Sequence, residues 1–207
     1  NWGRFLGPDG APTARAIVEG ANSFLTPEAR QRLQERGVLI LRDASANKCG
    51  VISSSYEIIA NLLLSEKEFL AHKEEYIADV LAILERRAED EATLVFRRRR
   101  ESGGTRACTD ISDAISVEIN RHYAELFEFF RARPALCLAP PFRNVLYAHL
   151  PRLLREHPTY RQRITRLPEK YRFAMLAAEL AATMVYRGGF VRNFEADVKQ
   201  YAARMFP

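Results

Sequence analysis

Ala16-Ile17-Val18-Glu19-Gly20, Thr26-Pro27-Glu28 and Gly37-Val38-Leu39-Ile40-Leu41 decide the fold when taken together. The first is a short run rich in β-branched residues and closed by glycine. Thr26 is then a ready N-cap with Pro27 at the first helical position, so a helix is predicted over residues 27–36. Gly37 supplies the C′ stop, and the four apolar residues after it have strand length and the pattern of a strand buried on both faces. The result is a βαβ unit. Parallel strands joined by a right-handed crossover bring both carboxyl ends to one edge, where open α/β sheets bind ligands. Asn22 and Asn47 lie just beyond those two ends. The first strand reads as an inner one that needs neighbours.

Working outward, residues 1–15 carry Gly3, Gly7, Pro8, Gly10 and Pro12, a turn-rich lead-in. Downstream the strand signal fades, and residues 51–64 read as an apolar helix containing the run Ser53-Ser54-Ser55. Ser65-Glu66-Lys67-Glu68 is a capping box. It opens one long helix, with Leu70, Ile77, Leu81, Leu84, Ala88, Ala92 and Val95 at helical spacing, that is predicted to reach Arg100. Gly103-Gly104 ends it. Ile111, Ile115, Ile119, Leu126 and Phe130 mark the next helix, up to a loop over 134–141. Phe173, Leu176, Leu180 and Met184 define a further helix stopped at Gly188-Gly189, and Phe194, Val198, Tyr201 and Met205 define the last.

Composition is that of a folded, water-soluble chain: 207 residues, 31 Lys+Arg against 26 Asp+Glu, and 47% hydrophobic residues. No run of about 18 apolar residues occurs, so no transmembrane helix is expected. The start Asn1-Trp2-Gly3-Arg4 has neither a charged n-region nor an apolar h-region. Cys49, Cys108 and Cys137 are an odd number at wide spacing, which fits neither a disulfide framework nor a zinc knuckle and points to a reducing compartment.

The polar carboxyl edge is where the sequence becomes specific. Residues 17–22 (Ile-Val-Glu-Gly-Ala-Asn), 26–29 (Thr-Pro-Glu-Ala), 42–51 (Arg-Asp-Ala-Ser-Ala-Asn-Lys-Cys-Gly-Val) and 53–57 (Ser-Ser-Ser-Tyr-Glu) resemble, in order, signature segments of the nicotinamide-binding domain of glutamate dehydrogenases. The serine run and the Asp-Ala-Ser-Ala-Asn-Lys phrase resemble the large-subunit, NAD-specific branch. The strong likeness covers about residues 17–68, and a weaker one extends over the helical remainder.

The resemblance implies that Asn22 approaches the cofactor ribose and that Asn47 hydrogen-bonds the nicotinamide carboxamide of NAD. Side-chain amides suit both tasks, because they offer donors and an acceptor without a charge. It further implies that Val51 lies against the substrate and that Ser54 meets the substrate carboxylate, with its hydroxyl placed at a helix start. Taken without the resemblance, Asn22 is a strand-ending turn residue, Asn47 a helix N-cap, Val51 a core residue and Ser54 a helix-packing serine. Cys49 departs from the family, which commonly has glycine or another small residue there. It reads as a buried, inert small hydrophobe.

The fold class expected is mainly α with a small α/β part. Residues 1–64 form a βαβ remnant of a Rossmann-like parallel sheet, the C-terminal part of an NAD-binding domain, and residues 65–207 an all-helical region. No Gly-x-Gly-x-x-Gly occurs, and the family's catalytic lysine and aspartate have no counterpart, Lys48 standing at a different position. The chain, which opens on Asn1 rather than methionine, is therefore expected to be the C-terminal part of a longer enzyme, with no catalytic residue of its own. Its partners would be the remainder of that chain, L-glutamate and 2-oxoglutarate, and further copies in a homo-oligomer, in the cytoplasm or mitochondrial matrix.

Other chemistry is weak. His72, His122, His149 and His157 show no metal-ligand spacing, and Glu74-Glu75 and Glu89-Asp90-Glu91 read as solvated helix faces. Arg97-Arg98-Arg99-Arg100 and the stretch 131–172, with ten Lys+Arg against two acids, raise nucleic-acid binding as a rival. The four arginines fall at a predicted helix C-terminus, where the macrodipole favours cations, so a subunit-contact role is preferred. A non-catalytic helical module for assembly or regulation over 65–207 is the alternative function.

Overall fold

A computed structural model describes residues 2–189 and 194–207, with side chains through Gly189 and from Asp197 onward. The chain forms two compact units: one takes in the residues up to Ser54 together with Leu84–Ile115, the other Ser55–Ile83 with the described residues from Ser116 onward. The described residues are mainly helical, with a two-stranded parallel sheet near the N-terminus, as expected from the sequence.

In the first unit β1 (Ala16–Val18) pairs with β2 (Leu39–Leu41) in the register Ala16↔Leu39, Ile17↔Ile40, Val18↔Leu41. Helix α1 (Pro27–Gln34) makes the crossover. The Thr26 hydroxyl accepts a hydrogen bond from the Ala29 amide at 3.2 Å, satisfying one of the donors that a helix start leaves open. Gly37, at φ 83°, turns the chain so that the Val38 amide donates to Leu33 O at 3.1 Å. Ala29 and Leu33 of α1 pack with Leu25, Val38 and Ile40, and Trp2, Phe5, Leu6 and Ile17 close the cluster. Burying one side chain such as Leu33 contributes about 1.5–3 kcal/mol.

Burial of the strands differs from the expectation. Val18 is 63% exposed, and Leu39 and Leu41 are only half-buried beside the fully buried Ile40. The side chains alternate, so one set meets α1, while Leu39 turns toward a cleft also lined by Phe96, Arg99 and Arg100. Neither strand pairs with a third among the described residues.

Helices α2 (Asp43–Ala46) and α3 (Lys48–Leu63) follow β2 with only Asn47 between them. The expected single long helix is two: α4 (Glu66–Ala71) and α5 (Lys73–Glu101), parted at His72 (φ −118°, ψ 17°). No breaker residue lies there; the His72 ring instead takes edge contacts from His157 and Tyr160, so tertiary packing marks the kink. The Ser65 capping box forms as read. Arg163 grips its Glu68 through both carboxylate oxygens and donates to Leu63 O; the Arg163 bonds, with those from the Ser65 amide and hydroxyl, hold the Glu68 carboxyl well below the usual range.

Helix α6 (Cys108–Ala132) comes next, and the expected 134–141 loop is instead a 3₁₀ turn over Pro134–Leu138 running into α7 (Pro140–His149). Pro140 sits in the first turn of α7, where its missing N–H is not needed. Short helices α8 (Arg152–Glu156) and α9 (Pro158–Ile164) lead to α10 (Glu169–Arg187) and α11 (Phe194–Met205). In the second unit Phe173, Leu176, Leu180 and Met184 are buried as their spacing predicts, with Val198 and Tyr201 of α11; the side chain of Phe194 lies outside the described residues.

Candidate functional site

The carboxyl ends of β1 and β2 are tied by two carboxylates acting in opposite directions. Glu19, one residue past β1 and 2% exposed, receives Arg30 of α1 through Nε (3.0 Å) and Nη2 (2.8 Å) and accepts from the Asp43 amide at 3.2 Å. Asp43, just past β2, returns the tie by accepting from the Ser23 amide at 2.7 Å. Hydrogen bonds from the Ser23 and Ala44 amides, aided by Arg30 and Arg42, pull the Asp43 carboxyl below its ordinary pKa, while the bond to Glu19 raises that of Arg30. Each post-strand loop is therefore pinned by a carboxylate rooted on the other strand.

This clasp brings the two predicted asparagines together. Asn47 Nδ2 donates to Asn22 Oδ1 at 2.7 Å. That bond uses one donor and one acceptor, so the remaining N–H groups of both amides and the Asn47 carbonyl are available to a planar polar ligand. Asn47 caps the end of α2 rather than beginning α3 with its side chain. Gly50 matters here: a Cβ at that position would meet Asn47 Oδ1 at 3.1 Å, closer than ordinary van der Waals contact.

Val51 and Ser54 lie on α3 in the same unit as the asparagines, and both are exposed, Val51 at 78%. Ser54 is not at a helix start. The helix begins at Lys48, so Ser54 is already in its second turn, where backbone N–H groups are spent within the helix. Half-buried Cys49 directs its thiol to Leu84 O at 3.5 Å.

Glu91 corrects the sequence reading most sharply. It belongs to no solvated face: it is 3% exposed and receives Lys48 Nζ at 2.9 Å on one oxygen and the hydroxyls of Ser45 (3.0 Å) and Ser112 (3.3 Å) on the other. Among the described residues no group of three or more His, Cys, Asp or Glu is arranged to hold a metal ion.

A family model described as Glutamate/Leucine/Phenylalanine/Valine dehydrogenase matches residues 9–115, more than half of the chain. The chain belongs to this family. The matched dehydrogenase segment ends at Ile115, where the first compact unit also ends, and it contains Glu91. The chain is 30% identical over 199 residues to the probable NAD-specific glutamate dehydrogenase of Schizosaccharomyces pombe and 32% over 198 residues to the NAD-specific glutamate dehydrogenase of Neurospora crassa. Those matches take in 90% and 87% of this chain but 18% of each relative. A shorter match, 51% over 53 residues and 26% of this chain, is to the NADP(+)-dependent glutamate dehydrogenase of Pyrobaculum calidifontis. The chain thus spans about a fifth of the length of these full-length NAD-specific dehydrogenases. No solved structure matches it.

The dehydrogenase signature segments pointed to Asn22 and Asn47 but not to the charged residues packed around them in sequence and space: Glu19, Arg30, Asp43 and Glu91. Two of these carried a signal. Glu91 lies three residues after Ala88 and four before Val95, inside the apolar stripe of its own helix. Glu19 is an acid closing an apolar strand run, with Arg30 on the crossover helix as its natural counter-charge.

Proposed function

We propose that this chain supplies the nicotinamide-facing edge of an NAD-dependent glutamate dehydrogenase, which interconverts L-glutamate with 2-oxoglutarate and ammonium. The observation that carries the reading is the Asn47–Asn22 amide pair at 2.7 Å on the carboxyl edge of a parallel β1–β2 sheet. NAD is favoured over NADP because the relatives that match most of the chain are named NAD-specific. NAD, when bound, accepts the hydride from the substrate carbon.

The chain's own residues bind and orient. Paired, uncharged amides fit a carboxamide and a ribose diol, since each presents donors and an acceptor without biasing the charge of a redox-active ring. In this role Asn47 takes the nicotinamide carboxamide and Asn22 the ribose. Val51 contributes apolar surface beside the substrate, and Ser54 offers a hydroxyl to its carboxylate, by the side chain alone given its place in α3. Residues 1–64 act as the C-terminal part of the NAD-binding domain. The pyrophosphate turn and the acid–base lysine and aspartate come from elsewhere in the polypeptide, so this stretch by itself is inactive.

The test is Asn47→Ala in the full-length polypeptide. Losing two hydrogen bonds to the carboxamide raises KM for NAD by roughly tenfold or more while KM for glutamate stays near the parent value. An unchanged KM for NAD refutes the assignment.

A second reading, that residues 65–207 serve assembly of a homo-oligomer, is favoured by the exposure of Leu70 (60%), Ile77 (42%) and Leu81 (53%). Deleting 65–207 is a poor test, because Leu84–Ile115 packs with the first unit and carries Glu91. Leu70→Glu with Leu81→Glu, followed by sedimentation, is the cleaner one; an unaltered oligomer counts against an assembly role for these exposed side chains.

A further inference from the structure

We propose that Glu91 is a positioning residue for Asn47, acting from α5 on a segment it never adjoins in sequence. The proposal rests on the cofactor-facing reading of Asn47.

Four polar side chains flank or include Asn47 in the stretch Asp43-Ala44-Ser45-Ala46-Asn47-Lys48. Asp43 is committed to the Ser23 amide. Ser45 and Lys48, two residues before Asn47 and one after, are both committed to Glu91, each on a separate carboxylate oxygen. Asn47 reaches across to the other strand's loop and there meets a side chain, that of Asn22, where Asp43 meets a backbone amide. The segment is therefore anchored on both sides of the one residue whose side chain is directed to Asn22.

The anchor is well suited to that task. Its carboxylate is nearly excluded from solvent, so its bonds to Lys48 and the two hydroxyls meet little competition from water. Ser112 on α6 donates to the same Glu91 oxygen as Ser45, fixing the rotamer of the carboxylate itself. Asn47 ends the four-residue helix α2, which has no side-chain cap of its own. So short a helix has little intrinsic stability, and its orientation depends on such tertiary ties.

Cys49 gives a readout that needs no cofactor. It is half-buried directly after Lys48, whereas Cys108 and Cys137 are buried at 2% and 0% exposure and serve as internal controls. The experiment compares Glu91→Gln, Asn47→Ala and the double variant in the full-length enzyme, measuring KM for NAD, kcat and the maleimide labelling rate of Cys49 by peptide mass spectrometry. Glutamine keeps an acceptor for the hydroxyls and removes the charge that holds Lys48. The expected result is a rise of about tenfold in both Cys49 labelling and KM for NAD, with Glu91→Gln adding nothing to KM once Asn47 is alanine.

The proposal is overturned if Asn47→Ala raises KM while Glu91→Gln moves neither KM nor labelling, or if the two substitutions act additively on KM. If labelling rises in Glu91→Gln while Asn47→Ala leaves KM unchanged, Glu91 does hold the segment but the cofactor role of Asn47 fails, and the positioning proposal falls with it.

Discussion

Replacing Glu19 by alanine tests the clasp that joins the two strand ends. The substitution removes the acceptor of Arg30 Nε and Nη2 and of the Asp43 amide. Breaking a buried pair by deleting one partner costs about 3–5 kcal/mol. Here the lower end applies, because Arg30 is 14% exposed and keeps Asp43 at 3.6 Å as a second counter-charge. We therefore expect about 3 kcal/mol, which corresponds to roughly a hundredfold faster local opening. Peptide-resolved hydrogen exchange over residues 19–25 and 41–47 of the full-length protein reads that opening directly. Glu19→Leu with Arg30→Leu is the partner experiment: with both charges gone, most of the lost protection returns, since paired apolar substitutes are often neutral. Exchange in Glu19→Ala within about threefold of the parent, or no recovery in the double variant, refutes the reasoning.

Acidification loosens the same clasp. The folded pKa of Asp43 is depressed, so its stabilisation is complete above the ordinary value near 3.8 and is lost as pH falls further through the folded value; Ser23 amide exchange, corrected for intrinsic rate, should accelerate only below about pH 4. Gly50→Ala should separate stability from binding. Alanine favours a helix by about 1 kcal/mol over glycine, yet its Cβ meets Asn47 Oδ1, so the melting temperature rises while KM for NAD increases several-fold; a variant that is unchanged in KM shows that the close approach is immaterial. Burial pushes the Cys137 thiol up to about 11, so in the folded protein at neutral pH Cys49 should be alkylated well before Cys137, and equal rates contradict the burial argument.

Local chemistry was legible along the chain. Thr26, Pro27 and Gly37 each act within a few residues, and each acts as its type predicts. The asparagine pair was legible through family segments, and its geometry follows from parallel strands ending at one edge. The residues that fix that geometry were harder to see, because Glu19 to Asp43 and Glu91 to Lys48 are bonds between elements that the sequence sets 24 and 43 residues apart. Glu91 sits in the apolar stripe of its helix, a signal that the reading of Glu89-Asp90-Glu91 as a solvated face did not use. The break at His72 has no local cause and depends on rings from α8–α9. Ser54 was misplaced relative to its helix because α2 absorbs the turn after β2 and lets α3 begin at Lys48.

Ser23 sits at φ 53°, a left-handed backbone that costs a non-glycine residue about 1–2 kcal/mol. Its amide is the one that Asp43 holds at 2.7 Å. The loop is thus a sprung latch: the carboxylate keeps it in a shape it would leave on release, by a bias of about fivefold to thirtyfold. Anything that draws Asp43 away, whether a proton or a competing cation, is assisted by the loop's own recoil, so the edge carrying Asn22 should open further for each Asp43 lost than the hydrogen bond alone would allow.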